Sequence, residues 1–169
     1  VTEVLPYAST YERLAALYKA TSQLGVSLGF YETPRQIVRL AAHLVGAERG
    51  LLYQSKWMSS HHNIEPDDVD GPTMELIQET SHSGKPLLIL NTIVHPRSLP
   101  DQPSEQSEPR TIMVTPLQSK EDTPWVLYLE RYLSAGSFSS HDLALLEAFT
   151  DQARVALENA QVYGRVCIE

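Results

Sequence analysis

Apolar positions recur at helical spacing near the start of the chain, where Leu14, Leu17, Tyr18, Thr21 and Leu24 follow a Ser9/Glu12 pair with capping-box spacing. Gly25 and Gly29 close the run, which predicts a helix of about four turns. A second helix is predicted from Thr33, because Pro34 suits the first helical position and Gln36 can return to the cap amide. Its buried face is Ile37, Leu40, Ala41 and Leu44, and Gly46 ends it. Residues 72–83, with Met74 and Ile77 on one face and Gly84 as a stop, form a third.

Other apolar runs lack that period. Residues 49–58 (RGLLYQSKWM) are apolar and aromatic without helical spacing, as in a strand at the centre of a sheet. Residues 59–71, with two histidines, four acidic residues, a proline and a glycine, read as a loop. A strand at 86–90 follows the third helix, and a helix feeding a strand implies a mixed α/β sheet. Residues 92–109 hold four of the eleven prolines among Ser, Gln, Asp and Glu and read as a long surface loop. Residues 110–120 and 125–132 are two strands expected to pair as an antiparallel hairpin.

A last helix is predicted from Ser139, whose spacing to Asp142 repeats the capping box, with Phe138 and Leu143 as a hydrophobic staple, to about Tyr163. It carries two apolar stripes: Leu146, Phe149, Ala153, Ala156, Ala160 and Tyr163, and beside them Leu145, Ala148, Val155, Val162 and Val166. One stripe covers a sheet; the second suggests another helical partner.

Composition narrows the function. The 169 residues, 42% hydrophobic and 20% charged, suit one globular domain. A net charge of −8, with thirteen scattered Lys and Arg, disfavours direct nucleic-acid binding. No apolar run reaches the roughly eighteen residues of a bilayer span, so no membrane insertion is expected and the domain is read as cytoplasmic. Cys167, the lone cysteine, excludes an internal disulfide. There is no nucleophile motif, Gly-rich phosphate loop or fixed carboxylate pair, so no catalytic residue is assigned. A catalytic reading would need Glu75, His82, Asp101 and Arg110 to converge in one cleft. The histidines His61, His62, His82 and His95 match no compact metal or haem site, and no metal ligand is assigned.

The element order, with AERG opening the first strand, resembles the GAF domain family over almost the whole chain. Residues 33–52 (TPRQIVRLAAHLVGAERGLL), 110–117 (RTIMVTPL), and 126–133 (VLYLERYL) with Gly136, Phe138, Asp142, Leu145, Leu146 and 152–163 (QARVALENAQVY) carry the resemblance. They are similar to GAF domains of bacterial sensor histidine kinases and enhancer-binding transcription activators. The resemblance implies an α+β fold, GAF-like and PAS-related. Its antiparallel sheet, of six strands or fewer, has the terminal helices on one face and a ligand cavity roofed by loops and short helices on the other. The expected organisation is a linker at 1–8, one sensory domain at 9–166, and at 167–169 the start of a linker to a covalently attached effector, a kinase or an ATPase-type transcription activator.

Against the cyclic-nucleotide motif of the family, the positions Arg131, Tyr132, Phe138, Asp142 and Leu143 match only at Phe138 and Asp142, which already serve as staple and cap. The position of Cys167, beyond the expected cavity, argues against a covalent bilin. The expected function is noncovalent binding of a small ligand, of unknown identity, by candidates Trp57, Met74, Ile77, Leu90, Ile93, Met113 and Tyr128. The alternative is a ligand-free structural dimerisation module with these side chains as core. A homodimer is expected through Leu14, Leu17 and Leu24 of the first helix and Ala148, Val155 and Val162 of the last.

Overall fold

The computed structural model describes residues 6–24, 32–54, 57–65, 69, 71–93, 108–118 and 124–168. Helices α1 (Pro6–Leu24) and α2 (Glu32–Val45) lead into strands β1 (Arg49–Gln54) and β2 (Trp57–His62). Helix α3 (Gly71–Ser83), strands β3 (Leu87–Ile89), β4 (Arg110–Leu117) and β5 (Trp125–Tyr132), a short 3-10 helix (Leu133–Ala135) and helix α4 (Ser140–Ile168) complete the order. The strands form one antiparallel sheet in the order β2-β1-β5-β4-β3.

Strand β5 is central and covered on both sides, so alternate side chains enter two separate cores. Leu127 and Leu129, with Leu52, Met113 and Leu117, meet Ile37, Val38 and Ala41 of α2 and Leu146, Phe149 and Ala153 of α4. Val126 and Tyr128, with Leu51, Ile112 and Val114, meet Leu76 and Ile77 of α3. Helices α1, α2 and α4 therefore share one face, and among the described residues α3 is the helix on the other. Gly50 lets α2 lie close to the sheet: a Cβ there would come within 2.7 Å of Leu129 Cδ2 and 3.1 Å of Val38 Cγ2.

Local signals set several helix ends. Helix α2 closes in a Schellman turn, with Gly46 at φ 69° and the Ala47 amide donating to the Ala42 carbonyl at 2.8 Å. Arg131 adds donors there, reaching the carbonyls of Val45 at 3.3 Å and Gly46 at 3.5 Å, and Gly136 through Nε at 2.8 Å. The expected capping box of α4 is present: the Ser139 amide donates to Asp142 Oδ2 at 2.9 Å and the Asp142 amide to Ser139 Oγ at 3.2 Å. Phe138 is buried beside it, under the Arg131 guanidinium at 4.5 Å from the ring centre.

Other expectations need correction. Helix α1 begins at Pro6, three residues ahead of the Ser9 cap, because proline is preorganised for a first turn; Ser9 and Glu12 lie inside the helix, as do residues 6–8 of the expected linker. Helix α2 starts at Glu32, which places Thr33 within its first turn, buried. The single strand expected at 49–58 is a hairpin, with Gln54 paired to Trp57, and β2 runs on to His62 through part of the expected loop. Among the described residues the sheet has five strands, within the six or fewer expected, whereas α4 runs past its expected end near Tyr163, through Gly164 to Ile168. The loop expected between β3 and β4 and the turn at 121–124 lie largely outside the described residues.

Replacing Ser139 with Ala should cost about 1 kcal/mol. Urea denaturation should show a lowered midpoint at unchanged slope, and no change would mean the capping box contributes nothing.

Candidate functional site

The α3 face of the sheet carries a buried polar cluster at one end. Glu130, near the end of β5, has a side chain only 2% exposed, yet two arginines reach it: Arg49 Nε lies 2.7 Å from Oε1 and Arg110 Nη1 2.9 Å from Oε2. The strands place all three together, since Arg49 pairs directly with Glu130 across β1–β5 and Arg110 is its diagonal neighbour on β4. Arg110 makes an aligned hydrogen bond, whereas the close Arg49 contact is an ion pair that leaves Oε1 without one. Arg49 also sits over the Tyr132 ring, 5.6 Å from its centre.

Tyr128 extends the cluster to the helix. Its hydroxyl donates to Glu130 Oε2 at 2.7 Å, and the Thr73 side chain in the first turn of α3 hydrogen-bonds the same phenol. Burial, then the adjacent Glu130 charge, hold the Tyr128 phenol well above its ordinary value of 10.0. His61 lies on this face of β2, opposite Leu51, and burial lowers its pKa below 6.5 against the pull of Glu65. His62 points to the α2 face, edge to face with His43 at 5.9 Å, and burial, then the charges of His43 and Arg39, lower it too.

The predicted pocket residues do not gather in one place. Ile77 and Tyr128 belong to the α3-side core, and Met74 on α3 is half-buried. Met113 must be corrected, because it packs into the opposite core beneath α2 and α4. Leu90 and Ile93 are exposed beyond β3, and the side chain of Trp57 lies outside the described ones. An open groove of about 560 Å3, lined by Thr115, Gln118, Glu147, Thr150, Asp151 and Arg154 among others, runs between α4 and the end of β4. It contains none of the predicted pocket residues and is largely polar and wide to solvent, so the candidate site is placed at the Glu130 cluster.

Glu75 and His82 are exposed on α3, with His82 Nδ1 at 2.7 Å from the Gln78 carbonyl, while Arg110 belongs to the Glu130 cluster; Asp101 and His95 lie outside the described residues. Among the described residues no group of three or more His, Cys, Asp or Glu is placed to hold a metal ion. None of the described helices is long and apolar enough to cross a membrane. Of the dimer candidates, Leu14, Ala148 and Val155 are exposed. Leu17 and Leu24 are corrected, since they pack against the core beside Ala20; Val162 lies outside the described side chains.

Because folding raises the Tyr128 pKa, the folded chain keeps a proton that the unfolded chain loses, and stability should fall as pH climbs past about 10. Tyr128→Phe should remove that part of the slope and, at pH 7, cost about 1.5–3 kcal/mol for the lost bond to a buried carboxylate. Urea denaturation from pH 7 to 11 checks both, and parallel curves would exclude a raised phenol.

The family model for the GAF domain matches residues 32–157. The fold resembles the GAF domain of a phosphoenolpyruvate-protein phosphotransferase from Coxiella burnetii, with TM-score 0.70, 12% identity, and 90% of this chain and 96% of that one covered. The GAF domain of a putative sensor histidine kinase from Pseudomonas syringae pv. tomato aligns with TM-score 0.64 and 15% identity over 95% of each chain. At such identities the likeness is one of fold. In sequence, 102 residues, 60% of the chain, are 28% identical to hybrid signal transduction histidine kinase G of Dictyostelium discoideum, of whose length the chain covers 3%. Matched by its family model from α2 into α4, with a fold like that of other GAF domains, the chain belongs to the GAF domain family.

Proposed function

We propose that the domain is a non-catalytic input unit of a larger cytoplasmic signalling protein, binding a small ligand noncovalently on the α3 face and relaying its presence through dimeric terminal helices. The effector, on this reading, is a kinase or a transcription-activating domain. The observation that carries the proposal is an apolar stripe on α1: Tyr11 and Tyr18 are 76% and 77% exposed, and Leu14 between them is also exposed. These positions are spaced by three and four, so they share one helix face. Ala148 and Val155 give α4 a second exposed apolar line, and α1 and α4 pack on each other in the same layer.

A two-fold axis past this layer would bury both lines in a helical bundle. A ligand biases that bundle only by favouring one helix arrangement, with a coupling of about 1–3 kcal/mol. The route from ligand to helices is through β5, whose α3-side residues hold the polar cluster and whose opposite residues pack on α2 and α4. The filled α3-side core, with Ile77, Ile89, Ile112 and Tyr128 fully buried, favours a second reading, a dimerisation module without a ligand.

Sedimentation of the chain and of Val155→Glu should show a dimer whose dissociation constant rises about a hundredfold or more when an unpaired charge enters the interface. A monomeric parent chain, or a variant that dimerises equally well, would sink the relay. Native mass spectrometry separates the two readings, because a retained small molecule supports the sensor and a bare dimer supports the module.

A further inference from the structure

We propose that the groove between α4 and the end of β4 binds a primary alkylammonium group, held by acceptors from both elements; the site is separate from the α3 face and independent of any ligand there. At about 560 Å3 the groove has the size of a small-molecule site. Strand alternation sets its floor: Met113, Thr115 and Leu117 of β4 all face the helical layer, and Met113 and Leu117 pack into the core there. Thr115 between them is 2% exposed and lines the groove, and its hydroxyl has no hydrogen-bond partner among the described residues. Other threonines of this layer are paired. Thr111, on the same face of β4, donates to the Ile89 carbonyl at 2.9 Å and accepts from the Phe138 amide at 3.2 Å. Thr150 of α4, also lining the groove, donates to the Glu147 carbonyl at 2.9 Å. A buried hydroxyl without a partner is unfavourable, and valine would fill the same space, so the Thr115 hydroxyl calls for a partner that enters through the groove.

The walls supply charge. Glu147 and Asp151, four residues apart on α4, are neighbours on one helix face, where like charges repel. Both are exposed at the rim, and neither carboxylate has an ion-pair or hydrogen-bond partner among the described residues. Arg154, three residues beyond Asp151, is taken by Glu158 at 3.4 Å. From the strand side, Gln118 Nε2 donates to the Gly84 carbonyl at 3.4 Å, which leaves the Gln118 amide oxygen to accept. Two carboxylates, a hydroxyl and an amide oxygen form an acceptor-rich lining, and a primary ammonium brings three N–H donors and a compact positive charge to it. Among the described residues no three His, Cys, Asp or Glu converge, so the lining suits an organic cation better than a metal ion. Pro86, exposed, and Pro116, half-buried, offer apolar surface to the alkyl chain.

The test titrates the 169-residue chain with n-butylamine at neutral pH, against sodium chloride and tetramethylammonium chloride at equal ionic strength, while following backbone amide NMR signals. Saturable shifts at Thr115, Gln118 and Asp151 are expected with butylammonium and none with tetramethylammonium, which carries the charge without an N–H. Asp151→Asn, at an exposed position, should weaken binding about tenfold, the worth of one charge-assisted hydrogen bond. Thr115→Val keeps the shape of the side chain and should weaken binding about fivefold. The urea midpoint of that variant without ligand should stay level or rise, because no internal hydrogen bond is lost. No saturation beyond sodium, an equal response to tetramethylammonium, a lowered midpoint, or a Thr115→Val variant that binds as tightly as the parent would each overturn the site. The last result would mean that water alone satisfies the hydroxyl.

Discussion

A carboxylate that cannot reach water sets the terms for one end of this protein. Burying Glu130 costs several kcal/mol unless cations answer it, and removing one partner of such a pair typically destabilises by about 3–5 kcal/mol. The answers come from Arg49 and Arg110, at the starts of β1 and β4, the two neighbours of the central strand. The cluster thus holds three strands in register at one end, and Tyr128 and Thr73 extend its reach to α3. An apolar cluster of the same volume would hold the strands as well, so what the charges add is a specific arrangement.

Behind the same strand, residue Arg131 performs a parallel task. Its side chain gathers the carbonyls that end α2, the Gly136 carbonyl after β5 and the Phe138 ring that staples α4. Adjacent residues of one strand therefore organise opposite faces, Glu130 towards α3 and Arg131 towards the helical layer. A small displacement of this end of β5 would be felt on both sides, because packed cores shift between discrete arrangements instead of deforming smoothly.

What could be read from the sequence was local. Ser139 and Asp142 are three residues apart and announce their own hydrogen bonds, and Gly46 marks the end of α2 at the point where a positive φ is needed. The same capping pattern misled at Ser9, where Pro6 had already begun the helix. The β1–β2 hairpin was hidden because Ser55 and Lys56, the two residues between its paired ends, carry no turn signature, and because the polar SSHH that ends β2 resembles a loop. In RTIMVTPL both faces are buried, so alternation could not tell Met113 from Ile112. The Glu130 cluster joins residues distant in sequence and becomes visible only once strand order and register are known.

The length of α4 has a mechanical consequence. Its 29 residues make a rod of roughly 43 Å, well beyond the roughly 27 Å that the eight residues of β5 span. Pivoted at the Ser139 capping box, a tilt of about 5° swings its far tip by about 4 Å, most of one helical pitch. A rod of that length turns angles too small to notice at its base into displacements of several ångströms at its far end.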